Sequence, residues 1–163
     1  MIAMSDRPLA YHITFGAYGM RLHGDERGTV DRKVNQPGDP IVGSEPSWWQ
    51  QEFGRLRFNP ICLDAAKMRF VESAVPSICD RGGWQLHTCA AGPDHVHTML
   101  TTDADGEAVR KWLKRWLGEA LSRQRPLPDG ASWSAEGGRV KWVWKQDYYE
   151  RVYSYVRGQR ASR

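Results

Sequence analysis

The sequence predicts an α+β fold in which an antiparallel sheet carries helices in the order strand, helix, strand, strand, helix, strand, with an added C-terminal helix. Three observations lead there. Four segments alternate apolar and polar residues with the period of a half-buried strand. Two segments between them repeat apolar residues at helical spacing. The chain has 163 residues, enough for one domain with its own core. Residues 1–163 therefore read as a single domain of the ferredoxin-like (βαββαβ) sandwich type.

Each element has its own signal. In Leu9–Ala17, Tyr11, Ile13 and Phe15 alternate with His12, Thr14 and Gly16, the pattern of a first strand. A long polar stretch rich in Gly, Pro, Asp and Arg follows, from about 18 to 60, with Trp48–Trp49 near its end. A segment of that length reads as an insertion or long loop, more often functional than structureless. Leu63 to about Cys79 is an expected helix, with Asp64 near its start and apolar residues at 63, 66, 70, 71, 74, 75 and 78. Pro76 is expected to end or kink it. After Gly82–Gly83, the segments Trp84–Ala91 and His95–Thr101 form an expected hairpin about Gly92–Pro93. Asp105 to about Arg123 is an amphipathic helix with Val109, Trp112, Leu113, Trp116, Leu117, Ala120 and Leu121 on its apolar face. A Pro/Gly loop then leads to a strand at Arg139–Lys145 and a helix at Tyr148–Gln159.

Composition narrows the function classes. Hydrophobic residues make up 40% and charged residues 26%, as in a globular chain and unlike a disordered one. No apolar run approaches the roughly 18 residues of a membrane span. Three cysteines without metal-site spacing point to a reduced, cytoplasmic setting. The net charge of +4 is unevenly placed: residues 1–100 hold 10 Lys+Arg against 11 Asp+Glu, and residues 101–163 hold 13 against 8. That asymmetry points to a phosphate-rich partner for the C-terminal part. The eight Trp residues mostly read as core, although flat rings also suit base stacking.

Asp94-His95-Val96-His97 is the most informative run. Side chains two apart on a strand share a face, so His95 and His97 lie about 7 Å apart along it. Two neutral imidazoles so placed suit one divalent ion, and equally fit two histidines on a solvated sheet face. Residue type alone favours Mn²⁺ or Zn²⁺ over Mg²⁺. In the last helix Tyr155 and Gln159 are one turn apart on one side, a possible nucleophile and a possible oxygen ligand, with Tyr148, Tyr149 and Tyr153 as rivals. His87 and His12 read as satisfied sheet histidines. Arg110, Lys111, Lys114 and Arg115 read as a phosphate-tracking face or a solvated one, and Arg151, Arg157 and Arg160 flank the tyrosine.

Taken together, Gly92-Pro93-Asp94-His95-Val96-His97, a basic amphipathic helix and a terminal Tyr-x-x-x-Gln resemble the HUH single-tyrosine transposases, the small insertion-sequence and REP-associated enzymes. The stretch Tyr18-Gly19 through Leu22-His23-Gly24-Asp25-Glu26-Arg27-Gly28 is similar to one bacterial branch of them. The resemblance implies a single-stranded DNA endonuclease and strand transferase. His95, His97 and Gln159 would hold Mg²⁺ or Mn²⁺, and Tyr155 on the added helix would form a 5′-phosphotyrosine link. Arg110, Lys111, Lys114, Arg115, Arg151 and Arg157 would contact DNA that includes a hairpin. Relatives work as monomers or as homodimers that exchange the tyrosine helix, and both stay open here. A domesticated, non-catalytic nucleic-acid-binding module on the same fold is the alternative. A histidine-triad hydrolase fails because its third histidine position is Met99.

Overall fold

The structure is a computed structural model that describes residues 6–20 and 54–161. Most of the 18–60 segment, with Trp48–Trp49 and Leu22–Gly28, lies outside the described residues. The elements are β1 (Ala10–Gly16), α1 (Ala65–Gly82), β2 (Gln85–Ala91), β3 (His95–Thr101), α2 (Gly106–Gln124), β4 (Arg139–Val143) and α3 (Gln146–Ala161). The strands form one antiparallel sheet in the order β2-β3-β1-β4. Among the described residues no helix is long and apolar enough to cross a membrane.

Alternation along the strands sends side chains to opposite faces. Ile13, Phe15, Val96 and Leu100 pack with Val71 and Val75 of α1 and with Leu113 and Leu117 of α2. The other face is smaller. Ala10, Ala90, Met99 and Val143 pack with Val152 and Val156 of α3. The two helices of the βαββαβ core therefore cover one side of the sheet, and the added helix covers part of the other.

Helix α1 runs through Pro76 to Gly82, past the point where the sequence predicts a break. Both ends are secured. The Asp64 side chain accepts a hydrogen bond from the Lys67 amide (2.8 Å). Gly83, with φ of 71°, closes the helix through its own amide. Val75, Ile78 and Cys79 are buried around the proline. Burial of such side chains is worth about 1.5–3 kcal/mol each, which offsets the roughly 3 kcal/mol cost of an internal proline.

Helix α2 also differs from its expected face. Arg110 is only 8% exposed and pairs with Glu107 (2.7 Å), whereas Trp112 is 45% exposed. The ion pair one turn apart lets the long arginine stem cover apolar surface. This turns Trp112 outward, where it packs against Trp116 (ring centroids 5.2 Å apart), which in turn stacks on buried Trp84. Strand β4 ends at Val143, so Trp144 lies beyond it. Trp142 and Trp144 are exposed too, and of the described tryptophans only Trp84 and Trp133 are buried.

The start of α2 approaches the sheet closely. A Cβ on Gly106 would lie 2.8 Å from a Val140 methyl and 2.9 Å from the Tyr11 ring. Gly106→Ala is therefore expected to lower stability by about 1–3 kcal/mol, read as a drop in the urea midpoint at unchanged slope.

Candidate active site

The partly covered face holds the histidines. The turn before β3 is held from three directions: the Gly92 amide donates to the His95 carbonyl (2.8 Å), Leu63 to the Pro93 carbonyl (2.8 Å), and Ala17 to the Asp94 carbonyl (2.9 Å). A Cβ at Gly92 would sit 3.2 Å from His95 Cε1, so glycine leaves room for that ring. Buried Asp94 accepts a hydrogen bond from His95 Nδ1. A carboxylate on Nδ1 fixes the ring and leaves Nε2 with its lone pair for an electrophile.

His97 is buried and lies edge-on to His95, with ring centroids 4.6 Å apart. Its partner across the sheet is a residue the sequence reading ranked low. Thr14 is the register partner of His97 on β1, and His12 lies two residues earlier on the same face. His12 Nε2 is 3.0 Å from His97 Nδ1, and Thr14 Oγ1 lies 3.3 Å from the first and 3.2 Å from the second. These contacts fix the ring of His97 and turn its Nε2 the other way. Burial, aided by the charges of Lys141 and Arg139, pushes the His12 pKa down to about 4, so it is neutral at pH 7. Those two cations stand opposite His12 and Thr14 on β4.

Tyr155 is the tyrosine that reaches this group. Its ring is 54% exposed and meets His97 edge-on at 5.5 Å between centroids and His12 at 6.3 Å. The rivals are engaged elsewhere. Tyr149 is hydrogen-bonded to His87 Nδ1 (2.8 Å), whose Nε2 meets Thr101 Oγ1 (2.6 Å). Tyr153 accepts from Arg157 (3.0 Å), and Tyr148 lies under Arg151. His87 is thus the satisfied sheet histidine the sequence predicts.

Other expected residues are not brought together. Gln159 Nε2 donates to the Tyr155 carbonyl (3.4 Å), so its amide turns back along α3 instead of bonding to an imidazole. Among the described residues no cluster of three or more His, Cys, Asp or Glu is arranged to hold a metal. A metal there would take the two imidazoles and draw its remaining ligands from Gln159, water or substrate oxygen. Arg110, Lys111, Lys114 and Arg115 lie on α2, which packs on the opposite sheet face from the histidines. Arg110 is buried in its ion pair, Lys114 Nζ donates to the carbonyls of Ala135 (2.6 Å) and Gly137 (2.7 Å), and Arg115 lies 3.4 Å from Glu119. Lys111 is exposed. Arg151 and Arg157 do share α3 with Tyr155, each against a tyrosine ring. Arg139 and Lys141, opposite Thr14 and His12, are visible in the alternation of β4 but are placed only by the pairing of β4 with β1.

The neutral His12 has a measurable consequence. Its folded pKa lies below the unfolded value of 6.5, so the unfolded chain takes up a proton first as pH falls. Stability is present above pH 6.5 and declines between about 6.5 and 4, by on the order of 3 kcal/mol for this group. His12→Asn should flatten that part of the curve of unfolding midpoint against pH, and an unchanged curve would show that His12 titrates normally.

The fold has a solved counterpart. A candidate transposase from Deinococcus radiodurans R1, solved at 1.90 Å, superposes with a TM-score of 0.50 at 15% identity, over 98% of this chain and 96% of that one. At that identity the likeness is one of fold. No family model and no curated protein matches the sequence.

Proposed function

We propose that the chain is a metal-dependent single-stranded DNA endonuclease and strand transferase, a transposase of the HUH single-tyrosine type. The observation that carries this reading is the Tyr155 ring standing 5.5 Å from the His97 ring, in one chain and on the face that also bears His95. The element order with sheet order β2-β3-β1-β4 supports a ferredoxin-like core with an added nucleophile helix. The transposase description of the structural neighbour points the same way.

The residues fit a divalent ion, Mn²⁺ or Mg²⁺. Asp94 behind His95, and His12 with Thr14 behind His97, are outer groups of the kind that orient metal-binding imidazoles. His95 and His97 would hold the ion, joined by Gln159 once its amide leaves the Tyr155 carbonyl. A bound ion supplies charge that polarises the scissile phosphate. The chain's own part is the attack. The Tyr155 oxygen forms a bond to phosphorus as the P–O3′ bond breaks, and the phenolic proton is lost as the departing O3′ gains one. The product is a 5′-phosphotyrosine ester and a free 3′-OH. One ester replaces another, so a 3′-OH can reverse the step on a second DNA end without ATP. Arg151 and Arg157, on the same helix, and Arg139 and Lys141, across β1, supply positive charge for the DNA backbone. Hairpin-containing DNA is the proposed substrate.

Purified chain incubated with Mn²⁺ or Mg²⁺ and hairpin-bearing single-stranded DNA should give a denaturant-resistant protein–DNA adduct. Tyr155→Phe should abolish it, and Asp94→Asn should lower its rate about 10–100-fold through misorientation of His95. An adduct that persists in Tyr155→Phe assigns the nucleophile elsewhere. Binding without any adduct, indifferent to EDTA, favours the non-catalytic module.

A further inference from the structure

We propose that the open edge of the sheet, strand β4 and the residue after it, is a base-stacking track for single-stranded DNA, with Trp142 and Trp144 as stacking platforms. The proposal rests on the single-stranded-DNA reading above and names where unpaired nucleotides are held. Trp142 is 59% exposed and Trp144 47%, and their rings stand 5.9 Å apart at 68°. Contiguous apolar surface left in water marks an interaction site, whereas singly scattered apolar residues do not. Base–indole stacking is sequence-tolerant, since every base has a flat face.

Charge selects the occupant. The run Arg139-Val140-Lys141-Trp142-Val143-Trp144-Lys145 interleaves three cations with the two indoles. The charged neighbour that acts on Lys141 is another cation, Arg139. On the sheet, Lys141 stands opposite His12, and Arg139 opposite Thr14. The cations therefore face the histidines and Tyr155, while Trp142 points to the other side of the strand. A polyanion that wraps the β4 edge meets positive charge on the face toward the candidate active site and flat rings on the face toward α2. A second copy of the chain is the competing occupant, because among the described residues β4 has a neighbour on one side only. Basic residues along an open edge disfavour strand addition by a like-charged copy. A nucleic acid gains from the same charges.

The test uses the full chain in EDTA, so that no cleavage occurs, titrated with an oligothymidine of about 12 nucleotides while indole fluorescence is read. Wild type should bind with quenching and weaken as salt rises. The double variant W142T/W144T should bind at least tenfold more weakly, and Trp144→Ala, which lies beyond the strand and spares its pairing, should show part of that loss. Trp112→Ala, an exposed indole that packs on Trp116 of α2 and is not part of the β4 edge, should bind as wild type does. No binding by wild type, unchanged affinity in Trp144→Ala and the double variant, or an equal loss in Trp112→Ala overturns the proposal. So does a wild-type dimer that the double variant makes monomeric with oligothymidine binding intact, since that assigns the edge to a second copy. The readout is separate from the adduct. Trp-dependent binding without any adduct keeps the track and rejects strand transfer, whereas a normal adduct with Trp-independent binding does the reverse.

Discussion

Val152 and Val156, one turn apart on α3, bury against Ala10, Ala90, Met99 and Val143. That small contact decides where the helix can sit. The sheet face beneath it is apolar toward one end of β1 and β3 and polar toward the other, where His12, Thr14, His95 and His97 stand. A helix that covers the apolar patch leaves the histidines beside its open flank. Tyr155, the neighbour of Val156, then has its ring over His97. The C-terminal turn is tied as well. Arg160 donates to the Cys89 carbonyl (2.7 Å) and lies 3.4 Å from Glu72, whose carboxylate also accepts from the Ala91 amide (3.1 Å). The helix is thereby joined to β2 and, around the sheet edge, to α1. These contacts hold the tyrosine over the histidines of its own chain.

The electrostatics of the face follow from burial. Three imidazoles so close would repel one another if protonated, and burial together with the β4 cations keeps His12 neutral. Neutral rings keep their lone pairs, which is the state a cation or an electrophile needs. Positive charge lies one strand away, on Arg139 and Lys141, which stand opposite Thr14 and His12. There it is positioned for a polyanion and does not occupy the nitrogens themselves. Asp94, buried behind His95, bonds to the ring.

Local patterns in the sequence carried most of the fold. His95–Thr101 and the hairpin before it are fixed by a two-residue period and a Gly-Pro turn, both readable without knowing any partner. The pairing of His95 and His97 on one face is of the same kind. What lay outside the sequence was set by contacts between distant segments. Pro76 is tolerated because Val75, Ile78 and Cys79 are gripped by the rest of the core. Arg110 turns inward and Trp112 outward because an ion pair to Glu107 makes the arginine stem acceptable in the interior. His12 belongs to the site through strand register, and register between β1 and β3 has no local signature. The α2 cations looked like a DNA face from spacing alone, but the helix packs on the far side of the sheet. Gln159 has the right spacing from Tyr155, yet its amide bonds to its own helix.

We propose that one chain sets the Tyr155 phenol beside a cation site formed by His95 and His97. Mn²⁺ added to protein carrying ¹³C-labelled tyrosine tests it, because a paramagnetic ion broadens nearby ring signals most strongly. Tyr155 is expected to disappear first among the tyrosines, and His95→Ala to abolish the effect. Broadening of Tyr148 or Tyr149 ahead of Tyr155, or broadening that survives His95→Ala, would contradict it.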